Sequence, residues 1–285
     1  MKFTLFPWWF KLLIKIVLSR LPISYKRWKI IGIFSHGAMS NEEYSINVFN
    51  NHIRDLKINN DLKDKLFMEI GPGDSLSSAV LLYQHDAKSI LIDSGDYATD
   101  DLNFYNSLIR QIKFDKDRKR ILEHIKSRDQ LLKICRSKYF TNGLKDLKKI
   151  PSNSVDHIFS QAVLEHIKKD EFIDTIKELY RITKKNGSHS HEIDFKDHLS
   201  GSINNLRFSE KVWESNLFYK SGFYTNRIRY STMINYMVDC GFSIKIINKK
   251  IWNILPLEKN KLHNDFQKHE DINLKTYECR IVLTK

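Results

Sequence analysis

Residues 66–93, LFMEIGPGDSLSSAVLLYQHDAKSILID, decide how this chain folds. Leu66–Ile70 is an apolar run of strand length, followed by a glycine turn, a helical stretch at about Ser75–Tyr83, and a second strand at Ser89–Ile92 that ends in a carboxylate. Gly71 and Gly73 allow a sharp turn and let the backbone approach a ligand at the positive end of the following helix. A dinucleotide-binding turn needs a third glycine to complete G-x-G-x-x-G, and Leu76 stands there instead. Two acids frame the turn. Glu69 closes the first strand, and Asp93 lies about twenty residues past Gly73, where a carboxylate accepts hydrogen bonds from ribose hydroxyls.

Working outward, 285 residues with 41% hydrophobic and 12% aromatic content bury a full core and exclude a disordered chain. The balance of 47 basic against 34 acidic residues, +13 overall, favours a polyanionic partner or an anionic membrane surface, with a general bias toward Lys, Ile and Asn as an equal explanation. Cys135, Cys240 and Cys279 show neither metal-ligand spacing nor a disulfide framework, which indicates a reducing, cytoplasmic setting.

The first 22 residues, MKFTLFPWWFKLLIKIVLSRLP, are the most apolar. Lys11 and Lys15 interrupt them and Arg20 and Pro22 end them, so they read neither as a membrane span nor, lacking a small-residue cleavage site, as a signal peptide. On a helix starting near Pro7, Lys11, Lys15 and Ser19 form one stripe, and Trp9, Leu13, Ile16 and Val17 lie away from it. Two readings stand. The helix rests in an anionic membrane interface at the inner face of the membrane, helped by Lys26, Arg27 and Lys29, or it packs on the domain with its lysines in water. Residues 1–60 thus form a helical extension and 61–285 the main α/β domain.

Ser40 opens a helix to about Leu56 with Glu43 in a capping-box position, and His36 in the preceding turn reads as a solvated loop histidine or as one that approaches the pocket. After Asp93 comes an insertion, about residues 97–136, of three short helices (Asp100–Gln111, Asp115–Lys126, Arg128–Arg136), read as a subdomain near the substrate entrance or as cover for one sheet face. Its run Lys116, Arg118, Lys119, Arg120 reads as a solvated face. Ser137–Thr141 and Ser154–Ser160 are the third and fourth strands. Glu171–Thr183 is an amphipathic helix that KKNG stops. Phe242–Ile247 and Thr276–Leu283 are the last strand pair.

The chemistry is expected in SHSHEIDFKDHL, residues 188–199, the fifth strand and the loop leaving its carboxyl end. His191 is the candidate general base, with His198 returning from the loop and Asp194 orienting either ring. A metal site from His191, Asp194 and His198, or a purely structural cluster, are the competing readings. Arg227 and Arg229, in GFYTNRIRY, are read as a clamp for an anionic group on the acceptor or as surface charges.

EIGPGDS with a second acid at Asp93 resembles the class I S-adenosylmethionine (SAM)-dependent methyltransferases. The resemblance, from Leu66 to the C-terminus, implies a Rossmann-like sheet of seven strands ordered 3-2-1-4-5-7-6, with helices on both faces and one antiparallel strand. It also implies that Glu69, Gly71, Gly73, Ser75 and Asp93 bind SAM, that Asn142 and Leu144 lie near the adenine, and that Gln161, opening QAVLEHI, lies at the methionine end. Ser75 stands where the commonest cofactor loop has a third glycine. EIGPGDS, VDHIFSQAVLEH, HEIDFKDH and FYTNRIR together are similar to methyltransferases among bacterial surface-polysaccharide enzymes. The chain lacks the Asn/Asp-Pro-Pro-aromatic run of amino methyltransferases and the Pro-Cys of cytosine-C5 enzymes, so an oxygen acceptor leads. A sugar hydroxyl of a glycan or lipid-linked saccharide is the expected acceptor. An RNA methyltransferase is the alternative raised by the charge, and a non-catalytic interaction protein retaining the fold is the third reading.

Overall fold

In the computed structural model, which describes residues 6–21, 38–58 and 62–285, Pro7 precedes the first helix, α1 (Trp8–Leu18), as expected. His36 and the basic run Lys26, Arg27 and Lys29 lie outside the described residues. The next helix, α2 (Glu42–Leu56), starts one residue past the expected cap: Asn41, not Ser40, accepts the N–H of Tyr44 at 2.8 Å. Glu42 and Glu43 at its positive end and Arg54 in its last turn suit the helix dipole.

The decisive stretch folds as read, into β1 (Leu66–Ile70), α3 (Ser77–Gln84) and β2 (Lys88–Ile92). The insertion holds α4 (Leu102–Gln111), α5 (Lys116–Leu122) and α6 (Arg128–Ile134), and the side chains of Asp101, Asp115 and Ser127 cap their N-termini. Phe104, Tyr105, Leu108, Leu122 and Leu131 sink into one core with Phe67, Leu76, Val80 and Leu91. The helices are therefore cover for the core rather than a separate subdomain, because their apolar stripes have nowhere else to be buried.

There follow β3 (Ser137–Phe140), β4 (Val155–Gln161), α7 (Lys169–Ile182), β5 (Thr183–Asp194), α8 (Tyr230–Asp239), β6 (Ser243–Ile251) and β7 (Thr276–Thr284). The seven strands form a mixed sheet ordered β3-β2-β1-β4-β5-β7-β6, the Rossmann-like class I arrangement. β1 pairs in parallel with β2 and β4, and β2 with β3. β7 runs antiparallel to β5: Phe195 donates to Tyr277, while Asn186 donates to Lys285, at the opposite ends of the pair.

KKNG does not stop α7. The helix ends at Ile182 and these residues begin β5, because Lys285 pairs with Asn186 and Gly187 in the ladder. Gly187 is required there for space: a Cβ would lie 2.6 Å from Thr183 Cγ2 and 2.9 Å from the Asp156 carbonyl.

Compactness does not divide the chain at residue 60. One unit comprises Ser35–Gln161, Lys177–His191 and Val282–Lys285, the other Met1–Phe34, Ala162–Ile176 and Glu192–Ile281. Within the second, α1 is an integral part: Leu12 is buried with Leu199, Trp213, Phe218, Phe223 and Tyr224.

Candidate active site

In the first unit, the carboxyl ends of β1, β2 and β3 meet. Gly71 (φ 66°) and Gly73 (φ 62°) take the left-handed backbone that the turn after β1 demands. The Gly71 N–H reaches the Ile92 carbonyl at 2.8 Å. The Gly73 N–H points to Asp93 Oδ2 at 3.0 Å, and the Ser94 N–H to Oδ1 at 2.7 Å. Gly143 ties the turn after β3 to the same point, donating to the Asp93 carbonyl at 2.8 Å. Asn142 there spends its side-chain amide on Asp146 at 2.9 Å, and Leu144 is half-buried.

Glu69 is 2% exposed, and its Oε2 has no hydrogen-bond partner. Burial pushes its carboxyl up to about 8, opposed by the Ser78 hydroxyl and assisted by the charge of Asp93. Burial likewise raises Asp93 to about 6, against the N–H groups of Gly73 and Ser94. Two enclosed acids with an orphaned oxygen beside a left-handed glycine turn fit a ligand that brings positive charge and ribose hydroxyls, as SAM does. Ser75 contributes differently from expectation, because its hydroxyl is bonded to the Met39 carbonyl and to Ser77. Gln161 faces His52 Nε2 at 3.2 Å.

The serine–histidine run of β5 departs from its expected role. His191 is 0% exposed, with Nδ1 2.7 Å from Ser160 Oγ and Nε2 3.4 Å from His189 Nδ1. Burial pushes it down to about 3. His189 faces Thr183 Oγ1 at 2.7 Å, His157 faces Ser188 at 2.9 Å, and His52 faces Ser190 at 2.8 Å. Imidazoles and hydroxyls thus satisfy one another inside the sheet layer. His191 is a structural residue here and not a base, because its ring nitrogens are enclosed and turned to protein partners.

The second unit holds the other candidates. Asp194 takes the Lys196 N–H at 2.8 Å and the Lys196 ammonium at 3.1 Å, so it shapes the loop rather than orienting a histidine. The orienting partner of His198 is His166, which the sequence reading passed over within QAVLEHI. Their rings stack, centroids 4.8 Å apart and 10° between planes, with Nε2 facing Nε2 at 3.1 Å. His166 Nδ1 lies 2.9 Å from the Tyr224 carbonyl. A carbonyl only accepts, so the neutral His166 carries its proton on Nδ1 and presents a lone pair at Nε2. His198 must then donate from Nε2, which leaves its Nδ1 as the proton-accepting atom. Both residues are exposed. Burial lowers His198 to about 3, as it does His191, and positive charge from His166, Lys15 and Lys196 adds to this.

Beside them Glu165 is buried, with Oε1 accepting the Asp194 N–H at 3.2 Å and Oε2 unpartnered. Burial, then the charge of Asp194, raises its carboxyl well above the usual range. Arg227 and Arg229 are not a clamp. Arg229 gives its guanidinium to the carbonyls of Phe195, Asn273, Leu274 and Thr276 at 2.8–3.2 Å. Arg227 donates to the carbonyls of Asn205 and Phe208 and pairs with Glu210 at 3.1 Å. Both are buried, and their terminal nitrogens are filled by these acceptors while each Nε has no hydrogen-bond partner.

Residues 68–190 match the family model described as "Methyltransferase domain". Among solved structures the chain is similar to a SAM-dependent methyltransferase from Archaeoglobus fulgidus, at 12% identity over 86% of this chain and 95% of that one, TM-score 0.45. It is also similar to phosphoethanolamine N-methyltransferase 2 of Haemonchus contortus in complex with SAM, at 13% identity over 84% and 51%, TM-score 0.46. A third is the YcgJ protein of Bacillus subtilis, at 12% identity over 82% and 99%, TM-score 0.44. No curated protein matches the sequence.

Proposed function

We propose that this class I SAM-dependent methyltransferase methylates a sugar hydroxyl of a glycan or lipid-linked saccharide, in the cytoplasmic compartment and at an anionic membrane surface. The observation that carries an oxygen acceptor is the His166–His198 pair. A hydroxyl must lose its proton as it is methylated, and His198 offers a lone pair at Nδ1 whose tautomer the Tyr224 carbonyl dictates through His166.

SAM, when bound, supplies a methyl group on positively charged sulfur. Glu69 and Asp93, beside the Gly71–Gly73 turn, are the residues that would hold it, and Asn142, Leu144 and Gln161 are proposed for its adenine and methionine ends. The chain's own contribution is alignment and exclusion of water, with the acceptor's proton passing to His198 Nδ1 and on to solvent. Asp194 is retained as the residue that shapes the His198 loop.

RNA is the less favoured acceptor. The basic run on α5 is partly spent within the protein: Arg118 pairs with Asp86 at 2.6 Å and Asp115 at 3.0 Å, and Arg120 lies 4.0 Å from Asp117. Calorimetry with SAM and its demethylated product, then mass spectrometry of candidate glycans and RNA after incubation with SAM, tests this reading. Methyl transfer to RNA alone would reverse the acceptor assignment, and absence of SAM binding at millimolar ligand would end it.

A further inference from the structure

The seating of α1 leaves the wrong face outside for a helix that only covers a domain. Its inner face is fully engaged. Leu12 is 6% exposed in the aromatic cluster, Trp8 and Ile16 flank it, and the Trp8 ring meets Phe208 edge-on at 6.2 Å. Lys15, expected at a headgroup, turns inward and donates to the His198 carbonyl at 3.4 Å. Arg20 fastens the far end on the Leu217 carbonyl at 2.6 Å and Ser221 at 3.3 Å. With the inner face committed, the outer arc carries Trp9, Leu13 and Val17, four residues apart and 51–61% exposed, and Phe6, just before the helix, is 43% exposed. Leu217, 47% exposed and adjoining Arg20, extends the patch.

A contiguous apolar face of this kind marks a partner rather than a scattered exposed side chain. The charge of the sequence segment that carries it names the partner. The first 41 residues contain seven Lys and Arg and no Asp or Glu. Two copies meeting through this face would bring two such uncompensated segments together, which like-charge repulsion opposes. An anionic bilayer surface complements both features at once, apolar and aromatic side chains in the acyl boundary and cations at the headgroups. No helix among the described residues is long and apolar enough to cross a membrane, and α1, at 11 residues, spans about half of a bilayer core, so it lies along the surface.

We infer that the outer face of α1, through Trp9, Leu13 and Val17, with Phe6 just before it, is a docking surface for anionic lipid. The inference deepens the membrane setting of the proposed function and is independent of which hydroxyl is methylated. Docked this way, the helix lays Lys15 and the His198 loop directly behind the lipid-facing side, within one and the same unit.

The test uses the full chain and flotation with vesicles of phosphatidylcholine, with and without phosphatidylglycerol. The wild-type protein is expected to float only with the anionic vesicles, and less as salt rises, because lipid–lysine attraction is screened. The triple variant Trp9→Ser, Leu13→Gln, Val17→Gln removes only exposed side chains. It should bind at least about tenfold more weakly with melting temperature and SAM affinity unchanged. Equal flotation of variant and wild type, or no flotation of the wild type, overturns the inference. So does a wild-type dimer in sedimentation velocity that the triple variant dissolves, which assigns the face to a second copy. Vesicle binding is read without any acceptor, so failure to methylate a glycan leaves this result standing.

Discussion

Glu69→Gln is the perturbation that interrogates the cofactor site most directly. The carboxyl is buried with one oxygen unpartnered, and it is raised to about 8 in the unliganded protein. A cationic ligand favours the charged form. At pH 6 roughly one molecule in a hundred has that carboxylate ready, and at pH 8 about half do. Apparent affinity scales with the competent fraction, so wild-type affinity should rise about 50-fold from pH 6 to pH 8, or about 2 kcal/mol. Asp93, raised to about 6, adds a factor of about two over the same interval, in both wild type and variant. The ligand's own amino group loses its charge near pH 8 and opposes the trend, again equally in both proteins. The ratio of wild-type to Glu69→Gln affinity, by calorimetry at pH 6, 7 and 8, therefore isolates this carboxyl. The same shift has a consequence for stability. Between the unfolded value of 4.5 and about 8 the unliganded fold holds a proton that the unfolded chain releases, so this group's contribution falls as pH rises. A wild-type-to-variant ratio that changes less than about threefold between pH 6 and pH 8 would refute the assignment of Glu69 to a bound cation.

Replacing His198 with Ala should lower turnover roughly 10²–10⁴-fold with SAM affinity and melting temperature unchanged, as single-turnover kinetics and calorimetry would show; near-normal turnover removes the base assignment. His191→Ala should do the opposite, preserving activity per folded molecule while lowering urea stability by about 2–4 kcal/mol, because a cavity opens and the Ser160 hydroxyl loses its partner. Asp93→Ala should weaken SAM binding by about 1–3 kcal/mol, and an unchanged dissociation constant in folded protein would show the second acid to be misplaced. Arg229→Met should cost about 3–5 kcal/mol of stability by stranding four carbonyls, whereas a folded variant with only a raised KM would restore the clamp reading.

Much of the architecture was legible in the chain because it rests on local rules. Strand length, the two left-handed glycines and the acid after β2 are short-range signals, and Asp101, Asp115 and Ser127 announce their helices by capping chemistry. The strand order followed from the family resemblance, and the observed sheet has it. The places of Glu69 near the end of β1 and of Asp93 directly after β2 were legible for the same reason, since the register of each strand is dictated by its apolar residues.

What tertiary structure alone decided is the partner of each polar side chain. Alternation in β5 shows that His189 and His191 share a face, but not that Thr183 and Ser160 wait there to neutralise them in the core. Nothing in GFYTNRIRY tells a surface guanidinium from one enclosed by four carbonyls. That difference depends on residues 273–276, more than forty positions away. His166 and His198 are 32 residues apart, and only folding sets their Nε2 atoms 3.1 Å from each other. The sequence determined which segments carry ionisable and apolar groups; contact across long stretches of chain determined which of those groups are spent on the fold and which remain open for chemistry. Hydrogen bonds and burial are pairwise, and most of the pairs that decide this protein's site are not neighbours in sequence.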